Sequence, residues 1–510
     1  MRSSRPSRTS LPLVLAAVLA AACSSAPAPL PSSGEPSADA GPASSTPGEP
    51  GATGSPAPGT SQTASPTAPE PSAPASPPAP ATTPAPTPPP IVFEAWPTFG
   101  GDPGRSGTAA GFPAPNHPSV AWSAALDGAV YGQPIVALGR LYVATEDDSV
   151  YGLDPRTGHV LWRRHVGTPV PLGTLPCGNI DPLGITSTPA FDAASDSLFV
   201  VAEVTGPKHV LFALNPASGA IRWSRSVDWP GQDPSTLQQR AALAVANGRA
   251  YIGFGGLAGD CGQYNGVVVG VPTGGGGASI AYVVPTAREG AVWATGGPAI
   301  DAAGHLYVSV GNGSATSVAD GFDGSDSIVE LSAGLSQLGP LFAPSTWAAD
   351  NLHDLDLGSM SPTLLSGGWV FADGKSGTGY VLRQGALGGI GGQVSSRAVC
   401  VAFGAAAHVG ATAYVPCTDG IRSVTVDASG SIHIGWHTSS GATGPPAVGG
   451  GAVWSVDIGT GTLIALSQSS GVERAAIHLG AVPHFDAPSL SGDLVFVGTL
   501  KGVVAVRAAP

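Results

Sequence analysis

The sequence predicts an all-β fold, a β-propeller of eight four-stranded blades, with seven as the alternative count. Three observations carry this expectation. A strand–turn–strand unit with a fixed corner and a tryptophan-bearing last strand recurs within residues 91–510. Its copies start about 40 to 64 residues apart, the length that one four-stranded blade needs. The 73 Gly and 51 Pro among 510 residues, with only 11% charged, exclude a helical bundle or a long coiled coil.

In chain order, residues 1–22 read as an export signal. Arg2, Arg5 and Arg8 precede an apolar run from Leu11 to Ala22 that is too short to span a bilayer. Ala20, Ala21 and Ala22 lead into Cys23, an arrangement that resembles a bacterial lipoprotein signal, although Ala20 stands where that pattern prefers Leu. The resemblance implies acylation of Cys23 and a lipid-anchored, extracytoplasmic or periplasmic protein. Residues 23–90 follow as a Pro/Ala/Ser-rich tether. After Cys23 they hold Glu35, Asp39, Glu49 and Glu70 as their only charges and show no apolar periodicity, so they form no core. Such a segment reaches from about 45 Å as a coil to about 200 Å as polyproline II.

The head, residues 91–510, contains the repeat. Its clearest copies are LYVATEDDSVYGLDPRTGHVLWRRHVG (141–167) and LFVVAEVTGPKHVLFALNPASGAIRWSRSVD (198–228). Alternating residues fit half-buried antiparallel strands. Gly158 and Gly219 stand where a tight hairpin needs positive φ. Six blade starts carry a proline, at Gln133-Pro134, Thr188-Pro189, Gly297-Pro298, Ser361-Pro362, Pro445-Pro446 and Ala487-Pro488. Two more are expected near Ala241-Ala242 and Val401-Ala402. The last copy stops before a tryptophan strand, and an unpartnered strand at Val120–Ser123 precedes the first full one. The N-terminal strand is therefore expected to close the last blade, which also removes unpaired sheet edges.

Four cysteines follow Cys23. In an exported chain they read as two disulfides, with Cys177–Cys261 and Cys400–Cys417 preferred among three connectivities. Metal binding is the rival, and no C-x-x-C spacing supports it. A net charge of −13 argues against nucleic-acid binding.

The units GLDPRTGHVLW (152–162), FALNPASGAIRW (212–223) and IALSQSSGVER (464–474), with the opening WPTFGGDPGRSG (96–107), resemble the quinoprotein alcohol dehydrogenase-like, or PQQ-like, repeat. The family includes enzymes, BamB-type assembly lipoproteins and sensors. For the enzymes the resemblance implies a quinone on a tryptophan floor, a metal held by Glu, Asn and Asp, and an Asp base. VWATGGPAIDAAGHLYVSVGNG (292–313) puts the floor at Trp293 and the metal-binding Asn at Asn312, and HDLDL (353–357) resembles a corner after the active-site blade. Aligned on the enzymes, the Asp-x-Asp falls on SIVELSAGL as Ser332 and Gly334, and the metal Glu falls at Cys261, with Asp260 as the only substitute.

On that alignment no catalytic residue and no metal site remain, and no cofactor is expected. The leading expectation is a monomeric, non-catalytic binding or scaffold protein of the cell envelope. It would recognise an envelope protein or peptide through loops at 167–187, 229–240, 255–266 and 311–326, and the membrane through Cys23. The alternative is a PQQ- and Ca²⁺-dependent dehydrogenase acting on alcohols or sugars.

Other candidates have plainer readings beside them. Asp320, Asp323 and Asp326 read as an acidic loop rather than a Ca²⁺ loop, and Lys375 sits in a hairpin that could point into the funnel. Arg288 and Glu289 read as a solvated pair or an anion site, and His353, Asp354 and Asp356 as a polar cluster or corner. His433 and His437 read as strand residues rather than a metal pair.

Overall fold

The computed structural model describes residues 92–509. The signal, Cys23 and the tether lie outside the described residues. Eight sheets follow one another, and the chain rises strand by strand from the inside of each blade to its rim. In blade 1 the order is Ile135–Ala137, Arg140–Ala144, Ser149–Leu153 and Val160–His165, all antiparallel. The first strand is wholly buried and the fourth alternates between exposed and half-buried residues, which puts the first at the axis and the fourth at the rim.

Blades 2, 3, 5, 6 and 7 repeat this order, starting at Ala190, Ala244, Thr363, Ala407 and Ala447. Blade 4 has three strands, Ala299–Ile300, Leu306–Val310 and Ser327–Leu331. Isolated bridges at Gln337 and Phe342 stand in for a fourth. Blade 8 takes Ser489–Ser491, Leu494–Thr499 and Gly502–Arg507 from the end of the chain and Ser119–Ala125 from the start. The ring closes as the lone early strand predicts. Blade 6 differs in one respect: its inner strand begins at Ala407, not beside Val401-Ala402. The latter pair belongs to the connection from blade 5, where Ala402 bridges Cys417. Without a proline to mark the start, its register is not fixed by sequence alone.

Neighbouring blades are joined by a recurrent contact. The rim tryptophan of one blade lies on the hairpin glycine of the next. Trp122 of blade 8 covers Gly158 of blade 1, Trp162 covers Gly219 of blade 2, Trp223 covers Gly275 of blade 3, and Trp436 of blade 6 covers Gly471 of blade 7. A Cβ on Gly219 would come within 2.4 Å of the Trp162 ring, and φ there is +67°. Only glycine meets both demands. Three of these indoles also donate to a carbonyl three residues before the covered glycine: Trp122 to Pro155, Trp162 to Pro216 and Trp436 to Gln468, each at 3.0 Å.

Residues 96–107 run across the inner strands. Their backbone bonds to Val136 of blade 1, Phe191 of blade 2, Ile300 of blade 4, His408 of blade 6 and Val448 of blade 7. Arg105 is buried here, and burial pushes its pKa down to about 10. It donates to the carbonyls of Pro298, Phe99 and Leu243 and to the Thr98 hydroxyl. The axis is therefore plugged at this level. Disulfides join Cys177 to Cys261 and Cys400 to Cys417. Among the described residues no helix is long and apolar enough to cross a membrane.

Trp162→Ala removes an interblade anchor and leaves a void over Gly219. It should lower unfolding stability by about 3 kcal/mol in urea titrations, and Gly219→Ala should act in the same direction.

Candidate functional site

Antiparallel alternation sorts the connections onto two faces. Turns after first and third strands lie on one face, while turns after second strands and the links between blades lie on the other. The long segments expected at 167–187, 229–240, 255–266 and 311–326 all belong to the second group. Together they wall an axial cleft of about 640 Å³. Trp293, Phe403 and Phe485 meet at its base, with ring centroids 5.8–6.4 Å apart. The cleft sits on the far side of these rings from the plugging segment, whose Phe99 lines a separate small space of about 10 Å³ with Arg240, His484 and Phe485.

Trp293 and Asn312 both line this cleft. Asp354 and Asp356 reach it from the link between blades 4 and 5, and Lys375 comes from the hairpin of blade 5. Lys375 Nζ lies 2.6 Å from Asp354 Oδ1, 2.8 Å from Asp356 Oδ2 and 5.9 Å from the Trp293 ring centre. Asn312 Nδ2 donates to Asp354 Oδ1 at 2.8 Å, and its backbone N–H donates to Asp356 at 2.6 Å. The Asn312 Oδ1 is buried without a hydrogen-bond partner.

Two more carboxylates line the wall. Asp260 accepts the Tyr264 hydroxyl, and Glu289 pairs with Arg288 at 2.6 Å. Arg288 also donates to the Gly262 and Asp260 carbonyls, so it clasps the 257–266 loop. The Cys177–Cys261 bond ties that loop to the 171–187 segment, which contributes Asn179.

The charges are crowded. Burial and then the charges of Asp260, Asp356 and Asp354 hold Glu289 above the usual carboxylate range, against the pull of Arg288. Burial also raises Asp356, with Lys375 opposing it. Burial works against the Lys375 ammonium, but Asp356 and Asp354 outweigh it and lift its pKa. Opposite them, Arg240 lies 4.7 Å over the Phe485 ring with its Nη2 buried and unpartnered. Burial, with Arg240 nearby, pushes His484 down to about 4, so it is neutral. Glu289, Asp354 and Phe485 all hold positive φ, of 69°, 56° and 64°.

Several sequence expectations change here. Ser332 and Gly334 lie in the turn after the third strand of blade 4, on the face opposite the cleft. A different Asp-x-Asp, Asp354-Leu355-Asp356, lines the cleft. Cys261 is in a disulfide, but its neighbour Asp260 lines the wall. His353 bonds the Ala349 carbonyl and does not line the cleft. Asp320, Asp323 and Asp326 separate: Asp320 caps a turn, Asp323 holds Thr286 and Ser325, and Asp326 accepts from Leu357. His433 and His437 face Asp427 and Asp419 respectively. Arg240, His484, Phe403 and Phe485 belong to no motif and were not legible as site residues.

Comparison with known proteins fits this architecture. The family profile described as outer membrane protein assembly factor BamB matches residues 116–226. A protein of that name from Nitrosomonas eutropha is 30% identical over 141 residues, covering 24% of this chain. The match spans about a third of that relative's length. Among solved structures, the quinohemoprotein alcohol dehydrogenase of Comamonas testosteroni superposes with a TM-score of 0.61 at 18% identity, over 81% of this chain and 80% of its own. The described head is an eight-bladed β-propeller, similar in fold to this enzyme. A europium-containing methanol dehydrogenase gives 0.60 at 13% identity, over 81% of the propeller's chain and 97% of its own. BamB of Moraxella catarrhalis gives 0.50 at 14%, over 77% and 97%.

A second polar cluster lies between blades 1 and 2. Burial raises Glu146 and Asp148 to about 8 each, helped in Asp148 by the charges of Glu146 and Glu203. Their folded pKa values exceed the unfolded ones, so between about pH 4 and 8 the folded state binds more protons. The stability they contribute is present below that window and is lost as pH rises through 8. Denaturation of the propeller should show stability falling from pH 5 to pH 9, with a shallower fall in Glu146→Gln.

Proposed function

We propose that the propeller binds a planar, carboxylate-bearing quinone of the PQQ class with a hard divalent cation in its axial cleft, and acts as a quinoprotein dehydrogenase outside the cytoplasm. The observation that carries this reading is the convergence of Trp293, Asn312, Asp354, Asp356 and Lys375 at one end of a single cleft. The donor set fits such a group on two counts. The orphaned Asn312 Oδ1, beside Asp354 and Asp356 and across from Asp260 and Glu289, offers the oxygen ligands that a hard cation takes. The free N–H of Arg240 and the ammonium of Lys375 offer partners for carboxylates or carbonyls, and Trp293 offers a flat apolar face.

When bound, the quinone would supply the hydride acceptor. The chain's part is to hold and move the proton. Asp354 is the most exposed of the cleft carboxylates that Lys375 contacts, so it is positioned to accept a proton from an alcohol.

A second reading is a binding or scaffold head, supported by the BamB profile over residues 116–226 and by the long loops gathered on one face. On either reading the two disulfides and the N-terminal signal support an exported protein, with Cys23 as the proposed lipid anchor.

Titration of the purified protein with pyrroloquinoline quinone and Ca²⁺ separates the two. Stoichiometric binding with quenching of tryptophan fluorescence is expected, weakened at least tenfold in Asn312→Ala. Dye-linked alcohol oxidation should fall by about a hundredfold or more in Asp354→Asn. No spectral change at excess quinone would rule out the dehydrogenase and leave the scaffold.

A further inference from the structure

A cluster on the opposite face of the ring takes no part in the cleft. The hairpin between the first two strands of blade 4 reads Asp301-Ala302-Ala303-Gly304-His305. One Asp301 carboxylate oxygen, Oδ1, accepts the backbone N–H groups of Ala303 and His305 at 2.9 and 2.8 Å. This leaves Oδ2 turned to the His305 ring, 3.6 Å from Nδ1. Glu330, from the third strand, places Oε1 3.2 Å from the same nitrogen. The three donor atoms all lie within 4.8 Å of one another.

We propose that Asp301, His305 and Glu330 form a Zn²⁺ site with one coordination position open to solvent. The spacing suits that ion: tetrahedral bonds of about 2.0 Å put neighbouring ligand atoms about 3.3 Å apart. One imidazole and two carboxylates are ligand types that zinc accepts. Glu330 is 2% exposed, whereas the His305 side chain is 38% exposed, so the cluster is anchored in the sheet and open at the ring.

A second observation points to the same spot. Tyr307 is directly opposite Glu330 in the strand ladder and fully buried, and its hydroxyl lies against the Glu330 carboxylate. It is a buried donor beside a ligand carboxylate, the kind of neighbour that orients metal ligands. The site would also join the inner hairpin to the third strand in the blade that lacks a full fourth one.

The experiment uses the mature chain purified without a histidine tag and stripped by chelator, with Zn²⁺ and then Co²⁺ as probes. One Zn²⁺ equivalent should survive desalting, and Co²⁺ should give the intense visible bands of a tetrahedral site. His305→Ala, on a partly exposed hairpin, and Glu330→Gln should each weaken Zn²⁺ binding at least tenfold and abolish those bands. Circular dichroism shows whether each variant is folded. Asn312→Ala, in the axial cleft, should keep the bands. No retained Zn²⁺, or bands that survive His305→Ala but vanish in Asn312→Ala, would overturn the proposal.

Discussion

The contact on which the ring depends is an indole laid on a glycine across each of several blade boundaries. A four-stranded sheet has two apolar faces and cannot bury either by itself. Each blade therefore needs its neighbour, and the tryptophan fixes how far and at what angle the neighbour sits. Glycine is required because the ring must touch backbone: a methyl group at Gly158, Gly219 or Gly471 would lie within about 2.5 Å of ring carbon. The sequence unit that repeats is thus two half-contacts. Its tryptophan serves the next blade and its glycine receives the previous one.

This explains why the fold was legible and the site only in part. Blade number, ring closure and the preferred cysteine pairing follow from short-range signals, a proline before a buried strand or a Gly followed by a Trp. Blade 6 lost its proline, and its start moved by several residues. The cleft is assembled differently. Asp260, Glu289, Asp354, Lys375 and His484 come from separate blade connections, and no local spacing ties them together. Ser332 and Gly334, where the alignment puts the enzymes' Asp-x-Asp, lie on the face away from the cleft. The corner HDLDL carries an Asp-x-Asp that lines the cleft beside Asn312 and Lys375.

The two faces have different freedoms. On one, residues 96–107 bind inner strands of five blades, and the hairpins stay short. On the other, connections of up to some twenty residues can vary without disturbing the tryptophan contacts. On the variable face Glu289, Asp354 and Phe485 adopt positive φ values. A scaffold that is over-determined elsewhere can hold them so.

Blade 8 joins strands separated by nearly the whole head, Ser119–Ala125 with Gly502–Arg507. That sets an order of events during folding. Until Arg507 has emerged, the early strand has no partner, so the circle stays open and Trp122 and its neighbours have no completed sheet behind them. Blades 1 to 7 can form as they appear, each leaning on the one before. The last step is a non-local pairing with a large loop-closure cost, so completion of the head waits for the final residues of its last strand.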